Sequence, residues 1–182
     1  MKKQILVLAV TIMMVFASIM PVLATDGTGT LVLTGGSLSV APTAVTFAAF
    51  TLDGVKHDNV GGTTTAWSVI DATGSGAGWH LTVSATVPTN GDSKTIPLTG
   101  LDITLLDANI AKIDGHATKP VSTITDGLTL TGTGQNMVSA AINTAMGSYT
   151  IQPTFTLDVP AETYAGTYNT TVTLIMITAP AG

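Results

Sequence analysis

Two segments of the chain alternate strictly between apolar and small polar residues, and this alternation constrains the fold more than any other feature. In GWHLTVSATV (78–87), Trp79 and Leu81 begin a series of apolar odd positions separated by polar or small residues. YTIQPTFTLDVP (149–160) repeats the pattern. Because successive side chains point to opposite faces of a strand, both segments predict strands with one buried face. Many such short stretches separated by Gly-rich turns predict an all-β fold, an antiparallel β-sandwich, with a closed or partly open β-barrel as the alternative.

Three details refine this prediction. Pro153 lies inside the second alternating segment and cannot donate to a ladder, so we expect an edge strand or a bulge there. The segment 168–178 becomes apolar on both faces at 174–177, which is typical of a central strand covered on both sides. We interpret 137–146 as a strand followed by a loop rather than a short helix. Weaker strands are expected at 29–33, 37–40, 44–50, 66–70, 102–106 and 128–132.

The N-terminus has the layout of a secretory signal peptide. Lys2 and Lys3 precede a mostly apolar stretch, and Val22-Leu23-Ala24, which offers small or aliphatic residues at the −3 and −1 positions, follows a proline. The apolar stretch is shorter than the roughly 20 residues that span a bilayer comfortably. We therefore predict a signal peptide at 1–24 and a mature domain at 25–182 without a transmembrane segment; a retained membrane anchor is the alternative.

Charge and cysteine content exclude several classes of function. The predicted mature domain has four lysines, no arginine and eleven acidic residues, which leaves a formal net charge of −7. A nucleic-acid-binding protein needs a basic face to neutralise phosphates, so we expect no nucleic-acid partner. The chain has no cysteine, which excludes thiolate metal sites and cysteine nucleophiles. Any ligand would have to be held by hydrogen bonds and stacking.

No pattern of residues indicates catalysis, a metal or a cofactor. His57, His80 and His116 are scattered and have no ligand-like spacing to a second histidine or a carboxylate. The chain has a single glutamate, Glu162, and no nucleophile motif. We therefore expect a non-enzymatic protein.

The segment VIDATGSGAGWHLTVSAT (69–86) resembles the proximal motif of the WxL family, the cell-wall-binding surface domains of Gram-positive bacteria. In that pattern a strand ending in Asp leads through a Gly-rich turn to Gly-Trp-x-Leu. The positions that match the turn are Asp71, Gly74, Gly76 and Gly78, and those that match the motif are Trp79 and Leu81.

The likeness extends from about Leu31 to Pro180. The segment 138–150 is similar to the family's segment before its penultimate strand, and 155–180 resembles its closing run, with one departure. Counting from Tyr168, the position of the family's second Trp-x-Leu holds Leu174 and Met176 instead. The resemblance implies export, a β-sandwich domain and non-covalent association with peptidoglycan or another cell-wall glycan. It identifies as candidate binding residues Trp79, Leu81, Tyr168, Leu174 and Met176.

Trp79 has two interpretations. Its place at the start of an alternating strand favours a core residue that closes over the loop, with Asp71 bonding the turn's amides and the glycines supplying positive φ. In the other interpretation the indole is exposed and stacks on sugar rings. The favoured function is wall binding at the cell surface. The alternative is a structural subunit of an extracellular fibre or surface coat that binds itself or another surface protein, assembled by donating its strand 28–34.

Overall fold

The computed structural model describes residues 30–180 of the 182-residue chain, so the signal peptide expected at 1–24 lies outside the described residues. Within residues 30–180 the chain is almost entirely β-structure. Its strands are β1 (Leu38–Ala41), β2 (Thr46–Phe47), β3 (His57–Thr63), β4 (Trp67–Asp71), β5 (Trp79–Ala85), β6 (Leu101–Thr104), β7 (Ile110–Gly115), β8 (Val121–Ser122), β9 (Leu128–Thr129), β10 (Gln135–Ala140), β11 (Gly147–Ile151), β12 (Thr154–Val159) and β13 (Val172–Thr178). Two single 3-10 turns lie at Leu98–Gly100 and Asp107–Asn109.

The strands form three antiparallel sheets in a sandwich-like arrangement. Their orders are β1-β4-β11-β7, β13-β5-β10-β8 and β2-β3-β12-β6-β9. None of the three sheets closes on itself within the described residues. The predicted all-β antiparallel sandwich is therefore confirmed. Among residues 30–180 no helix has the length and hydropathy needed to cross a bilayer.

One buried cluster draws side chains from all three sheets. Trp79, Leu81 and Val83 of β5 have no exposed surface, as the alternation predicts. Tyr149 of β11 and Phe155 of β12 are equally buried. At about 25 cal/mol per Å² of apolar surface removed from water, this burial is the main stabilising term of the domain.

The expectation for Pro153 is wrong. Pro153 separates β11 from β12, and these strands lie in different sheets, each flanked by a strand on both sides. The chain passes from one sheet to the next at a buried proline, and Gln152 N–H bonds the carbonyl oxygen of Asn109 at 3.1 Å. A missing donor is tolerated at such a crossing, since neither ladder includes that residue.

The prediction for the C-terminal strand is also wrong. β13 is the edge strand of its sheet, and it pairs with β5 over seven successive residues. Leu174 and Met176 pack against the core, whereas Ile175 and Ile177 are 52% and 40% exposed. The isoleucines on the outer face reflect the preference of β-branched side chains for strands rather than burial.

The weaker expectations have mixed outcomes. Strands occur near 37–40, 66–70 and 102–106, and 137–146 is a strand followed by a turn, as predicted. The strands predicted at 44–50 and 128–132 shorten to two residues each. The chain divides into two compact units at Leu33, and the described part of the first, Thr30–Leu33, contains no strand. The side chains of Leu31, Val32 and Leu33 are more than four-fifths exposed.

Candidate carbohydrate-binding cleft

The loop between β4 and β5 is built as the sequence predicts. The Asp71 carboxylate accepts hydrogen bonds from the Thr73 backbone N–H at 3.0 Å and from the Thr73 hydroxyl at 2.7 Å. Gly74, Gly76 and Gly78 have φ of +65°, +64° and +74°, a region that other residues enter at a cost. The loop therefore reverses the chain by backbone geometry and one carboxylate, and it brings Trp79 to the start of β5.

The core interpretation of Trp79 is confirmed. Its indole has no exposed surface, and Nε1–H donates to the carbonyl oxygen of Ala145 at 3.4 Å. Leu81 is buried in the same cluster. Since neither side chain reaches the surface, neither is placed to touch a glycan. Their part in binding stays a prediction, and it would act through the loops that they hold.

The structure brings the two halves of the WxL-like pattern together on neighbouring strands. Met176 lies opposite Leu81 in the antiparallel register, and Leu174 lies opposite Val83. Leu174 and Met176 are both partly buried and pack on the core. They therefore preserve apolar packing where the family pattern has an indole and a leucine, and they belong to the scaffold.

Tyr168, the remaining candidate binding residue, lies elsewhere, at the junction of two open clefts. The first, which we name the tyrosine cleft, has a volume of about 590 Å³ and lies between the segments 47–52 and 163–168. The second, the tryptophan cleft, has a volume of about 450 Å³ and lies between 42–47 and 168–172. Phe47 and Tyr168 line both clefts, which therefore adjoin.

Aromatic side chains concentrate at these clefts. The chain has nine Phe, Trp and Tyr residues, and six of them line one cleft or both. They are Phe47, Phe50, Trp67, Phe155, Tyr164 and Tyr168. An aromatic ring offers a flat apolar face beside a polar edge, which suits stacking on a sugar ring. The clefts are therefore the candidate functional site.

Local structure explains how the tyrosine cleft forms. After the two residues of β2 the chain leaves the sheet, and Phe50 packs on the His57 ring with centroids 4.5 Å apart. On the other side the Tyr168 hydroxyl donates to the Tyr164 carbonyl oxygen at 2.9 Å, which ties the 163–168 loop. The Lys94 ammonium lies 4.4 Å above the centre of the Tyr164 ring. One face of Tyr164 is thus covered by a cation, and the other can accept a ligand.

The clefts combine exposed rings with hydroxyl groups and lack charge. Tyr164 is 62% exposed and Phe50 is 42% exposed. None of the described residues that line either cleft is charged, and Thr51, Thr163 and Thr167 contribute hydroxyls to the tyrosine cleft. Such a surface can stack on and hydrogen-bond an uncharged ligand, with Lys94 against the Tyr164 ring as a cation at its margin. Among the described residues, no group of three or more His, Asp or Glu side chains is placed to hold a metal ion.

Several charged side chains lie beside the tyrosine cleft rather than along its walls. The Asp158 carboxylate accepts from the Asn59 backbone N–H at 2.9 Å and pairs with Lys56 at 3.0 Å, and these contacts lower the pKa of Asp158. Hydrogen bonds to Asp58 and Asp158 raise the pKa of Lys56. The Val55 N–H and then His57 lower the pKa of Asp53. These ion pairs hold the β3 region that carries His57, and thereby support Phe50.

Tyr149 of β11 is a further titratable group, buried in the core near Asp71. The Tyr149 hydroxyl donates to the backbone carbonyl of Met146 at 3.3 Å and lies near that of His116 at 3.4 Å. Burial raises the pKa of the Tyr149 phenol, and the negative charge of Asp71 adds to the effect. The phenol is thus a structural hydrogen-bond donor that fastens the loop before β11.

Sequence reasoning identified one residue of the clefts, Tyr168, and missed the other aromatic residues. Phe47 and Phe50 both fall in the strand expected at 44–50, but β2 ends at Phe47. Tyr164 lies in a segment without alternation, between a proline and the last strand. The available signal was that Phe50 and Tyr164 lie in segments without strict alternation, so burial on one face of a strand does not account for them.

Comparison with known families identifies one family model that matches the chain. The family model described as "WxL domain surface cell wall-binding" matches residues 27–180. No curated protein and no solved structure gives a match.

Proposed function

The chain belongs to the WxL family of surface domains that bind the cell wall, and we propose that it is an exported, non-enzymatic protein that binds peptidoglycan non-covalently. The family match covers all of the described residues and supports the cell surface as the site of action. In this proposal the motif residues build the domain, and the tyrosine and tryptophan clefts contact the glycan.

The observation that carries the proposal is the concentration of aromatic rings in two adjoining clefts without charged walls. An uncharged glycan can be held there by stacking on Tyr164 and Phe50 and by hydrogen bonds to threonine hydroxyls. The net charge of the predicted mature domain argues against attraction to anionic wall polymers. The neutral part of the wall, its glycan, is therefore the better ligand.

Co-sedimentation with isolated peptidoglycan sacculi tests the proposal. We expect the wild-type protein to pellet with sacculi and to stay in solution without them. Tyr164→Ala and Phe50→Ala should each weaken binding about tenfold, because truncating a central aromatic anchor typically costs more than 1 kcal/mol. Ile113→Ala is the matched control, since Ile113 is an apolar residue 65% exposed on β7, outside both clefts.

Two results would contradict this proposal. A wild-type protein that does not pellet with sacculi has no affinity for peptidoglycan. A protein that pellets equally well with both cleft substitutions binds the wall through another surface. Circular dichroism of each variant is needed beside the binding assay, so that a loss of binding is assigned to the cleft and not to unfolding.

A second function, a subunit of an extracellular fibre or coat, is favoured by one observation. Leu31, Val32 and Leu33 lie in no strand and are 81%, 82% and 83% exposed. Three successive exposed apolar residues can pair, as an added strand, with the sheet edge of a second copy. Sedimentation velocity should then show concentration-dependent assembly that Val32→Asp abolishes, whereas a monomer at all concentrations would count against this function.

A further inference from the structure

Lys94 places a cation at the margin of the tyrosine cleft. Its ammonium lies 4.4 Å above the centre of the Tyr164 ring. Its backbone belongs to a tight turn organised by the buried side chain of Asn90. Asn90 Oδ1 accepts the Lys94 N–H at 2.8 Å, and the Asn90 N–H donates to the Lys94 carbonyl oxygen at 2.9 Å. Ile96, two residues further along, lines the cleft, so the turn leads directly into the cleft wall.

This turn is attached to the loop that carries the ring. Thr89, just before the turn, and Asn169, just after the loop, exchange two backbone hydrogen bonds at 3.0 Å. A Cβ on Gly166 of the loop would lie 2.9 Å from the side-chain nitrogen of Asn90, so the two segments are in close contact. The backbone that carries the cation is therefore positioned beside Tyr164 before a ligand arrives, which lowers the entropy cost of binding.

The Lys94 ammonium has no anionic partner among residues 30–180. Lys56, in contrast, pairs with Asp58 and Asp158, and the Lys119 ammonium donates to two backbone carbonyl oxygens. The Lys94 side chain is exposed, and the aromatic ring covers one side of its ammonium. Since an ammonium has three donors, the remaining N–H groups are open to solvent and to a ligand.

An open ammonium beside an uncharged cleft favours a ligand with two parts. Sugar rings can stack on Tyr164 and Phe50, and a carboxylate attached to the sugar can accept from Lys94. Such charge-assisted hydrogen bonds are about twice as strong as those between neutral groups. This is one short-range contact, so it is compatible with the negative net charge of the predicted mature domain, whose long-range effect is screened by salt.

We infer that Lys94 is a specificity-determining residue of the tyrosine cleft, and that the cleft prefers a glycan whose sugars carry a carboxylate-bearing substituent. The inference rests on the proposed function and deepens it, since it names the acidic substituent as a part of the glycan that is recognised. In peptidoglycan the carboxylate can belong to the peptide stem or, where the stem has been removed, to the lactyl group of muramic acid. Both sources present the same chemistry to the ammonium.

Co-sedimentation with two insoluble glycans tests the inference, with the full chain purified as the cell processes it. Peptidoglycan sacculi carry carboxylates, whereas chitin is a polymer of neutral N-acetylglucosamine. Lys94→Met removes the ammonium and keeps a long side chain, and Lys94→Arg keeps the charge. Lys112→Met is the matched control, because it removes the same charge from an exposed site on β7, outside both clefts.

We expect the wild-type protein to bind sacculi more tightly than chitin. Lys94→Met should weaken binding to sacculi about threefold to fivefold relative to Lys112→Met, the effect of losing an exposed ion pair, and leave binding to chitin unchanged. Lys94→Arg should bind sacculi nearly as the wild type does.

Three results would overturn the inference and leave the proposed function intact. The first is a wild-type protein that binds chitin as tightly as sacculi. The second is equal binding of Lys94→Met and Lys112→Met to sacculi. The third is an equal loss on chitin in Lys94→Met, which would show that Lys94 acts only by positioning Tyr164. A wild-type protein that does not pellet with sacculi counts against the proposed function itself.

Competition with soluble disaccharides of N-acetylglucosamine and N-acetylmuramic acid distinguishes the two sources of the carboxylate. One disaccharide has a free lactyl carboxylate, and a second carries a dipeptide stem with a free carboxylate. A third, with the lactyl carboxylate amidated, is the neutral control. The disaccharide that displaces the protein from sacculi at the lowest concentration identifies the source, and equal displacement by all three would overturn recognition of a carboxylate.

Discussion

Replacing Gly78 with alanine should destabilise the domain far more than the same change at Gly74, although both lie in one loop with nearly equal φ. Both residues have left-handed backbone conformations, at +74° and +65°. An L-residue in that region costs about 1–2 kcal/mol, offset by about 0.4–1 kcal/mol because alanine restricts the unfolded chain. A Cβ on Gly74 meets nothing within 4 Å, so we expect Gly74→Ala to cost about 1 kcal/mol.

Gly78 carries a second penalty. A Cβ there would lie 2.7 Å from the carbonyl oxygen of Ala140 and 3.1 Å from backbone atoms of Ala141 and Ile142. These are backbone atoms at the end of β10, so they cannot rotate away as a side chain would. Forcing an extra methyl group into packed surroundings costs about 1–3 kcal/mol. The expected total for Gly78→Ala is therefore about 2–4 kcal/mol.

Urea unfolding followed by tryptophan fluorescence measures both variants against wild type. Since the backbone penalty is common to both, the difference between them isolates the contact with β10 and should be about 2 kcal/mol. Equal unfolding free energies for the two variants would refute the reasoning, because they would show that the loop after β10 moves aside freely. A Gly74→Ala variant less stable than Gly78→Ala would refute it more strongly.

Three further predictions concern the scaffold. Trp79→Ala should lower the free energy of unfolding by about 3–5 kcal/mol, because it empties a fully buried site, and a thermal melt that stays near that of wild type would contradict this. Asp71→Ala should cost about 1–3 kcal/mol by removing the acceptor of two Thr73 hydrogen bonds, whereas Thr73→Ser, which keeps the hydroxyl, should cost much less in the same urea assay. Asp158→Asn should destabilise the protein at pH 7 but progressively less as the pH falls. The pKa of Asp158 is lowered in the folded state, so its stabilisation is present above the ordinary value of 3.8 and is lost as the pH falls through the folded value. Urea unfolding of both proteins at pH 7 and pH 3 checks this, and a gap that widens in acid would contradict it.

The period-two alternation was sufficient to predict β5, β11 and β12, because a buried face leaves its imprint on every second residue. The structure of the 71–79 loop was predictable because its determinants are local. The Asp71 carboxylate accepts hydrogen bonds from a residue two positions away, and the glycines adopt positive φ themselves. Contacts between residues of different sheets produce no such local sequence pattern. Pro153 shows that a donor is missing but not whether the chain turns into another sheet, and the isoleucines of β13 show strand propensity but not exposure.

The clefts were beyond prediction because they join residues that are distant in sequence. Phe47 and Tyr168 meet through the pairing of β2 with β3 and of β3 with β12, and β12 leads into the 160–172 segment. No local pattern encodes that juxtaposition. The sequence does contain two aromatic pairs, Phe47 with Phe50 and Tyr164 with Tyr168, outside the strictly alternating segments. These pairs point to the clefts only once the sheets have accounted for the other aromatic residues.

This separation between scaffold and cleft changes how a loss of wall binding should be interpreted. Trp79 is the most recognisable residue of the chain, yet its ring is buried and its N–H is satisfied internally. A Trp79→Ala protein that fails to bind sacculi would therefore report the collapse of the core rather than a lost contact. Tyr164 is exposed and stands outside the buried cluster, so its truncation removes a contact and leaves the core intact. If wall binding is lost in a folded Tyr164→Ala protein and kept in a folded Trp79→Phe protein, the surface that binds the wall is the cleft, and the WxL-like residues act by holding the sheets that form it.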